Sequence, residues 1–151
     1  YALVELENLH DDSQQFEPIH RVITGTDVQE LIEAMKEQCC GENGQEIRCY
    51  YGNKEEVLHL NLHEHQLAVD KVQIFLDEYL KENSGVIDYI HGEDVLRKLA
   101  SQENAVGIEL PAMEKDQLFP SVMTDGTLPR KTFSMGHASE KRYYIEGRAI
   151  K

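Results

Sequence analysis

Nine residues near the end of the chain, "PRKTFSMGH" (129–137), hold two cations (Arg130, Lys131), two hydroxyls (Thr132, Ser134), a glycine and a histidine (His137). A phosphate group is met by such a set: fixed positive charge, hydroxyl donors, and a backbone free enough to bring N–H groups close. The segment also differs in charge from what precedes it. Residues 1–126 carry nine Lys/Arg against twenty-six Asp/Glu, whereas residues 127–151 carry six against two. The alternative is a basic surface loop that complements an acidic body. Neither a Walker A loop nor a GxGxxG or GxSxG motif occurs in the chain.

A second stretch, "EPIHRVITG" (17–25), sets His20 and Arg21 inside an apolar run that otherwise reads as a buried strand. An arginine in such a place needs an anionic partner, either an internal carboxylate or a ligand phosphate. His20, Arg21, Arg130, Lys131, Thr132, Ser134 and His137 are therefore the anion-binding candidates. If the site is catalytic, phosphoryl transfer is the reaction class, with His20 or His137 as the acid/base group. No carboxylate pair suited to a metal stands out.

Two further groups of residues have ordinary readings beside the chemical ones. In "HLNLHEH", His59, His63 and His65 share a parity opposite Leu58, Leu60 and Leu62. A metal site needs further ligands and a supporting shell, so a solvated strand face is expected and no metal is assigned. In "VIDYIHGED", Asp88 and His91 close a strand where ligands bind in open α/β sheets. The plain reading is that Gly92 and Glu93 make a turn and a helix start.

These side chains need elements to hold them. Alternation marks strands in "ALVELENL" (Ala2, Val4, Leu6), "EIRCYYG" (Ile47, Cys49, Tyr51), "VLHLNLH" (Leu58, Leu60, Leu62) and "RYYIEGRA" (Tyr143, Ile145, Ala149). The second and third are joined by "GNKEE", a hairpin turn. "GVIDYI" and "AVGIEL" are short apolar runs typical of buried strands. Helical stripes run through Val28, Leu31, Ile32, Met35 and Cys39, and through Val69, Val72, Phe75, Leu76, Tyr79 and Leu80. The first opens with a capping box, Thr26 to Gln29, and stops at Gly41. "GEDVLRKLASQ" predicts a third helix, and "EKDQLFPSVMTDG" a short one disturbed by Pro120.

The order "GVIDYI", helix, "AVGIEL" predicts a strand–helix–strand unit with a crossover long enough for right-handed parallel pairing. The predicted fold is therefore α/β (mixed α+β): a mixed sheet with a β-hairpin and a C-terminal strand–helix–strand unit, helices packed on the sheet. Its 151 residues fit one domain, residues 1–151. Opening at Tyr1 without Met, the chain reads as a C-terminal fragment of a longer protein. A net charge of −13 argues against nucleic acid and anionic membranes as partners. The longest apolar runs are about four residues, which excludes a spanning helix. Three cysteines, Cys39, Cys40 and Cys49, form no even disulfide framework and no CxxC, so a reducing cytoplasm is expected.

"EPIHRV", "DYIHG", "AVGIELPAM" with "QLFPSV", and "DGTLPRKTFSMGHASEKRYYIE" together resemble the bacterial and archaeal family known as domain of unknown function 1015. The likeness is specific around residues 18–21 and 86–146. By that resemblance His20 and Arg21 fall in a P-x-H-R signature, and Pro129, Lys131 and Thr132 in a P-x-K-[ST] signature. Phe133, Ser134, Met135, Gly136 and His137 depart from the hydroxyl and Pro-Lys residues that follow in many relatives. The resemblance implies a cytosolic bacterial protein whose N-terminal region, weakly linked to ParB-like proteins, would be a partner of this part. It implies no activity. Two functions follow from the residues: a domain that binds phosphate, a nucleotide or a phosphorylated small molecule, or a non-catalytic regulatory or protein-interaction domain.

Overall fold

The structure, a computed structural model, describes Asn8, Leu9, Asp11 and residues 15–135, apart from the side chain of Asn43. The expected strands at Ala2–Leu6 and Arg142–Ala149, and the candidate His137, lie outside the described residues.

The described elements run β1 (Phe16–Pro18), β2 (His20–Thr24), α1 (Val28–Cys39), β3 (Cys40–Tyr51), β4 (Lys54–Leu60), α2 (Ala68–Glu82), β5 (Val86–Ile90), α3 (Glu93–Ala100), β6 (Ala105–Glu109), α4 (Leu118–Asp125) and β7 (Phe133–Met135). A 3₁₀ turn, Lys115–Gln117, leads into α4. Five strands form one sheet in the order β4-β3-β6-β2-β5, and β1 pairs with β7 in a separate ribbon. Every neighbouring pair among them is antiparallel.

The expected hairpin is β3–β4, turning at Gly52, whose φ of 57° suits a residue without Cβ. The expected strand–helix–strand unit is β5–α3–β6. Its direct parallel pairing is not found. β2 lies between β5 and β6 and is antiparallel to both, so the two run in the same direction without touching. β6 becomes the central, buried strand, while β5 is an edge whose Val86 is 69% exposed.

The core has two parts on opposite sides of the sheet. Leu31, Ile32 and Met35 of α1 and Val72, Phe75 and Leu76 of α2 pack with Ile23, Ile47, Cys49, Val106 and Ile108. Leu96 and Ala100 of α3 pack on Val22, Tyr50 and Ile90. The helix α3 comes so close that a Cβ at Gly107 would sit 2.9 Å from Ala100 Cβ and 3.1 Å from Leu96 Cδ1. Burying apolar area on both faces is the dominant stabilising term.

Local signals decide the boundaries. The cap of α1 is Asp27, not Thr26: Asp27 Oδ1 accepts from the Gln29 and Glu30 N–H groups, both at 3.0 Å. Thr26 is buried instead. The helix ends at Cys39 and the chain enters β3 at Cys40 without a loop, so Gly41 lies in the strand. A bulge follows, with Cys40 and Gln45 both opposite Leu60. Pro120 is in the first turn of α4, where its missing N–H has no helical acceptor to lose. Cys39 and Cys49 are buried, and burial pushes their thiols up to about 11 and about 12, which leaves them as packing residues.

Candidate functional site

The two sequence segments expected to converge do so at Arg21. This residue is fully buried on the α1/α2 face of β2. Its Nε donates to Gln73 Oε1 of α2 at 3.1 Å and its Nη1 to the Ile19 carbonyl at 2.5 Å. Nη1 also donates to the Lys131 carbonyl at 2.9 Å, and Nη2 to the Arg130 carbonyl at 3.0 Å. Main-chain carbonyls and the Gln73 amide oxygen therefore take the place of the anionic partner expected from the sequence. The guanidinium also lies 4.9 Å from the centre of the Tyr89 ring, its cross-strand neighbour on β5. Burial, with Arg130 close by, pulls the Arg21 pKa down to about 10 against the opposing charges of Tyr89 and Asp77.

Arg130 closes a ring of contacts around it. Its Nε donates to the Tyr89 hydroxyl at 2.5 Å, and Nη1 and Nη2 reach the two oxygens of Asp77 at 3.2 and 2.5 Å. Asp77 in turn accepts from Gln73 Nε2 at 2.9 Å. Arg21, Gln73, Asp77, Arg130 and Tyr89 thus form one closed polar circuit that fixes the 129–132 loop on α2 and β5. The Asp77 pair holds the Arg130 guanidinium above its ordinary range.

Other candidates take different parts. Lys131 is exposed, adopts φ 57°, and its ammonium has no ion pair among the described residues. Thr132 is buried, and its hydroxyl donates to the Pro129 carbonyl at 2.7 Å, which spends that donor on the turn itself. Ser134 is buried in β7 opposite Glu17 of β1. His20 is buried on the other face of β2, where its Nδ1 accepts the Leu110 N–H at 3.1 Å. Nε2 therefore carries the proton. Burial lowers the His20 pKa; Glu109 opposes this, and Arg21 and His91 add to it. Glu109 is itself engaged by the Tyr50 hydroxyl and by Arg48 at 3.5 Å, so burial prevails.

The surroundings limit how a ligand can approach. Thr132 lines a cavity of about 20 Å³ with Leu67, Ala68 and Val69 at the start of α2, room for a water and no more. A larger cleft of about 480 Å³ opens between Tyr51, Asn53, Gln102 and Asn104 and shares no residue with the loop. The outer side of the loop presents Lys131 and Arg130, both exposed.

The other histidines are placed differently. His59 points outward from β4. β4 ends at Leu60, so His63 and His65 follow the strand; His63 Nε2 lies 3.3 Å from Asp125 Oδ1. His91 Nδ1 lies 3.7 Å from Glu17 Oε2. Among the described residues no group of three His, Cys, Asp or Glu side chains is placed to hold a metal, and no helix is long and apolar enough to cross a membrane.

Sequence reasoning missed Gln73, Asp77 and Tyr89. Gln73 carried a signal, since it is a polar residue on the buried stripe of α2. Asp77 lies one turn further, and Tyr89 is identified only by the β2–β5 register.

No protein-family model matches the chain, and no curated protein matches it in sequence. In fold the chain is similar to a solved structure of a free serine kinase, a point mutant, in complex with AMP. The TM-score is 0.60 at 19% sequence identity, over 86% of this chain and 57% of that one. This chain therefore spans little more than half the length of that kinase.

Proposed function

We propose that this chain is a nucleotide- or phosphate-binding domain of a longer bacterial cytosolic protein, and that its 130–132 loop meets the phosphate. One observation carries the reading. Arg21, Arg130 and Lys131 converge on a single loop, and only Asp77, among the described residues, forms an ion pair there. The loop therefore keeps an excess of positive charge in a protein whose net charge is −13. Such an excess attracts anions and is strengthened by backbone and hydroxyl donors nearby.

The fold likeness supports AMP as the first probe, and the neighbour's being a kinase supports phosphoryl transfer as the reaction class. Membership of the domain of unknown function 1015 family, with the protein's own N-terminal region as a partner, belongs to the same proposal and rests on the motifs. A thermal-shift series with inorganic phosphate, AMP, ADP and ATP, with and without Mg²⁺, tests the reading. A concentration-dependent rise in melting temperature with the phosphorylated probes, absent with adenosine, is expected; no rise with any of them defeats it.

A second reading has its own observation. Both terminal nitrogens of Arg130 are engaged by Asp77, so the basic loop already docks on an acidic helix. In that reading the segment serves a regulatory or protein-interaction domain and binds no phosphate.

A further inference from the structure

We infer that His91, oriented by Glu17, accepts the proton of an acceptor hydroxyl beside the anion-facing loop; this rests on the nucleotide-binding reading above. Strand pairing brings the residues together. Glu17 of β1 is the register partner of Ser134 in β7, and β7 begins directly after Thr132. His91 follows the last residue of β5, and its Nδ1 lies 3.7 Å from Glu17 Oε2. Tyr89, two residues earlier, receives the Arg130 hydrogen bond. The His–Glu pair is thus tied to the Arg130–Thr132 loop by two short paths, Tyr89 to His91 along the chain and Thr132 to Ser134 and its partner Glu17.

Three properties suit His91 to the task. Its side chain is 34% exposed and that of Glu17 is 25% exposed, so a substrate can reach the pair. The neutral imidazole can take up a proton while the Glu17 carboxylate lies close enough to favour the charge that forms. With Nδ1 turned to the carboxylate, Nε2 faces away from Glu17 as the proton-accepting nitrogen, as in other carboxylate-oriented histidine bases. At 3.7 Å the carboxylate is beyond hydrogen-bond length and acts on the ring through its charge. His20 is unsuited to the role: it is buried, and its Nδ1 is occupied by the Leu110 N–H.

The step is a phosphoryl transfer from a nucleoside di- or triphosphate to a small alcohol. The alcohol oxygen bonds to the terminal phosphorus, the bond from phosphorus to the bridging oxygen breaks, and that electron pair leaves on the nucleotide. The alcohol proton passes to His91 Nε2. Lys131 and the outer side of Arg130 face the phosphate charge.

The test uses the full chain, ADP or ATP with Mg²⁺, and free serine or glycerol as acceptor. Turnover is followed by phosphorylated product, and AMP affinity is measured in parallel. His91→Ala should bind AMP within about twofold of wild type, while its kcat falls by about 10²–10⁴. Added imidazole should restore part of that loss, which a structural role would not allow. His91→Gln, close in size and still able to hydrogen-bond, should show the same loss. Wild-type turnover in either variant, or no rescue by imidazole, overturns the inference. Wild type that binds AMP but transfers no phosphate also overturns it and leaves the nucleotide reading standing. Failure of wild type to bind AMP overturns that reading and the inference with it.

Discussion

Arg21 and Lys131, 110 positions apart, are joined by a hydrogen bond from Arg21 Nη1 to the Lys131 carbonyl at 2.9 Å. A second, from Nη2 to the Arg130 carbonyl at 3.0 Å, makes the buried guanidinium a clamp on two successive peptide groups. Lys131 holds φ 57°, a conformation that a non-glycine residue keeps only when its surroundings fix it. The arginine therefore shapes the loop from beneath and leaves its outer side to Lys131 and Arg130.

Arg21→Lys should thus fail to substitute. An ammonium lacks the planar fork that serves Gln73 and three carbonyls together. We expect a stability loss of about 2–4 kcal/mol in chemical denaturation, from buried acceptors left without donors. Phosphate binding should fall with it. Wild-type stability in this variant would show that the clamp is unimportant.

Asp77→Asn separates the two readings. Removing the carboxylate frees the Arg130 guanidinium for a ligand. One solvated charge pair at contact is worth about 1 kcal/mol, so phosphate or AMP affinity should rise about fivefold at low salt. The change in fold stability should stay within about 1 kcal/mol, because Arg130 is largely exposed. Unchanged or weaker AMP binding would favour the docking module.

Acid should weaken the fold through His20. Its pKa is lowered in the folded state by burial, so the unfolded chain binds a proton that the folded chain resists. The stabilisation is present above the ordinary histidine value of about 6.5 and is lost as pH falls through the lowered folded value. Melting temperature should drop below about pH 6.5, and His20→Asn, which can still accept the Leu110 N–H, should flatten that drop. The comparison is a set of melts from pH 7.5 to 4.5, and parallel curves for the two proteins would remove His20 from the account.

Gly107→Ala tests the close contact between α3 and the sheet. The added methyl would meet Ala100 Cβ at 2.9 Å and Leu96 Cγ at 3.1 Å, both in the small core on that face. A cost of about 1–3 kcal/mol is expected from overpacking, measured by denaturant unfolding. A neutral result would mean that α3 shifts without cost.

Much of the fold was legible because its signals are local. The β3–β4 hairpin follows from two alternating runs and a glycine turn, and α2 from an apolar stripe. The α1 cap was misplaced by one residue because Thr26 and Asp27 both suit the position, and only the Asp27 side chain turns to the helix. The insertion of β2 between β5 and β6 was not legible. That order depends on pairing between residues more than sixty positions apart, and no local pattern records it. At the site, the meeting of Arg21 with residues 130–132 could be anticipated from charge and burial. The expected approach of His20 is not found, because it faces the other side of β2 and accepts the Leu110 N–H. The role of Arg21 as a clamp on carbonyls could not be anticipated, because backbone acceptors leave no mark on side-chain identity.

The central claim is that the 130–132 loop meets a phosphate, and amide chemical-shift mapping tests it most directly. Titrating AMP into isotope-labelled protein should move the Lys131 and Thr132 amides first, together with those of Tyr89 and His91, and Lys131→Ala should abolish the saturable response. Saturable shifts confined to residues around the Tyr51–Asn104 cleft, or no shifts at all, would contradict it.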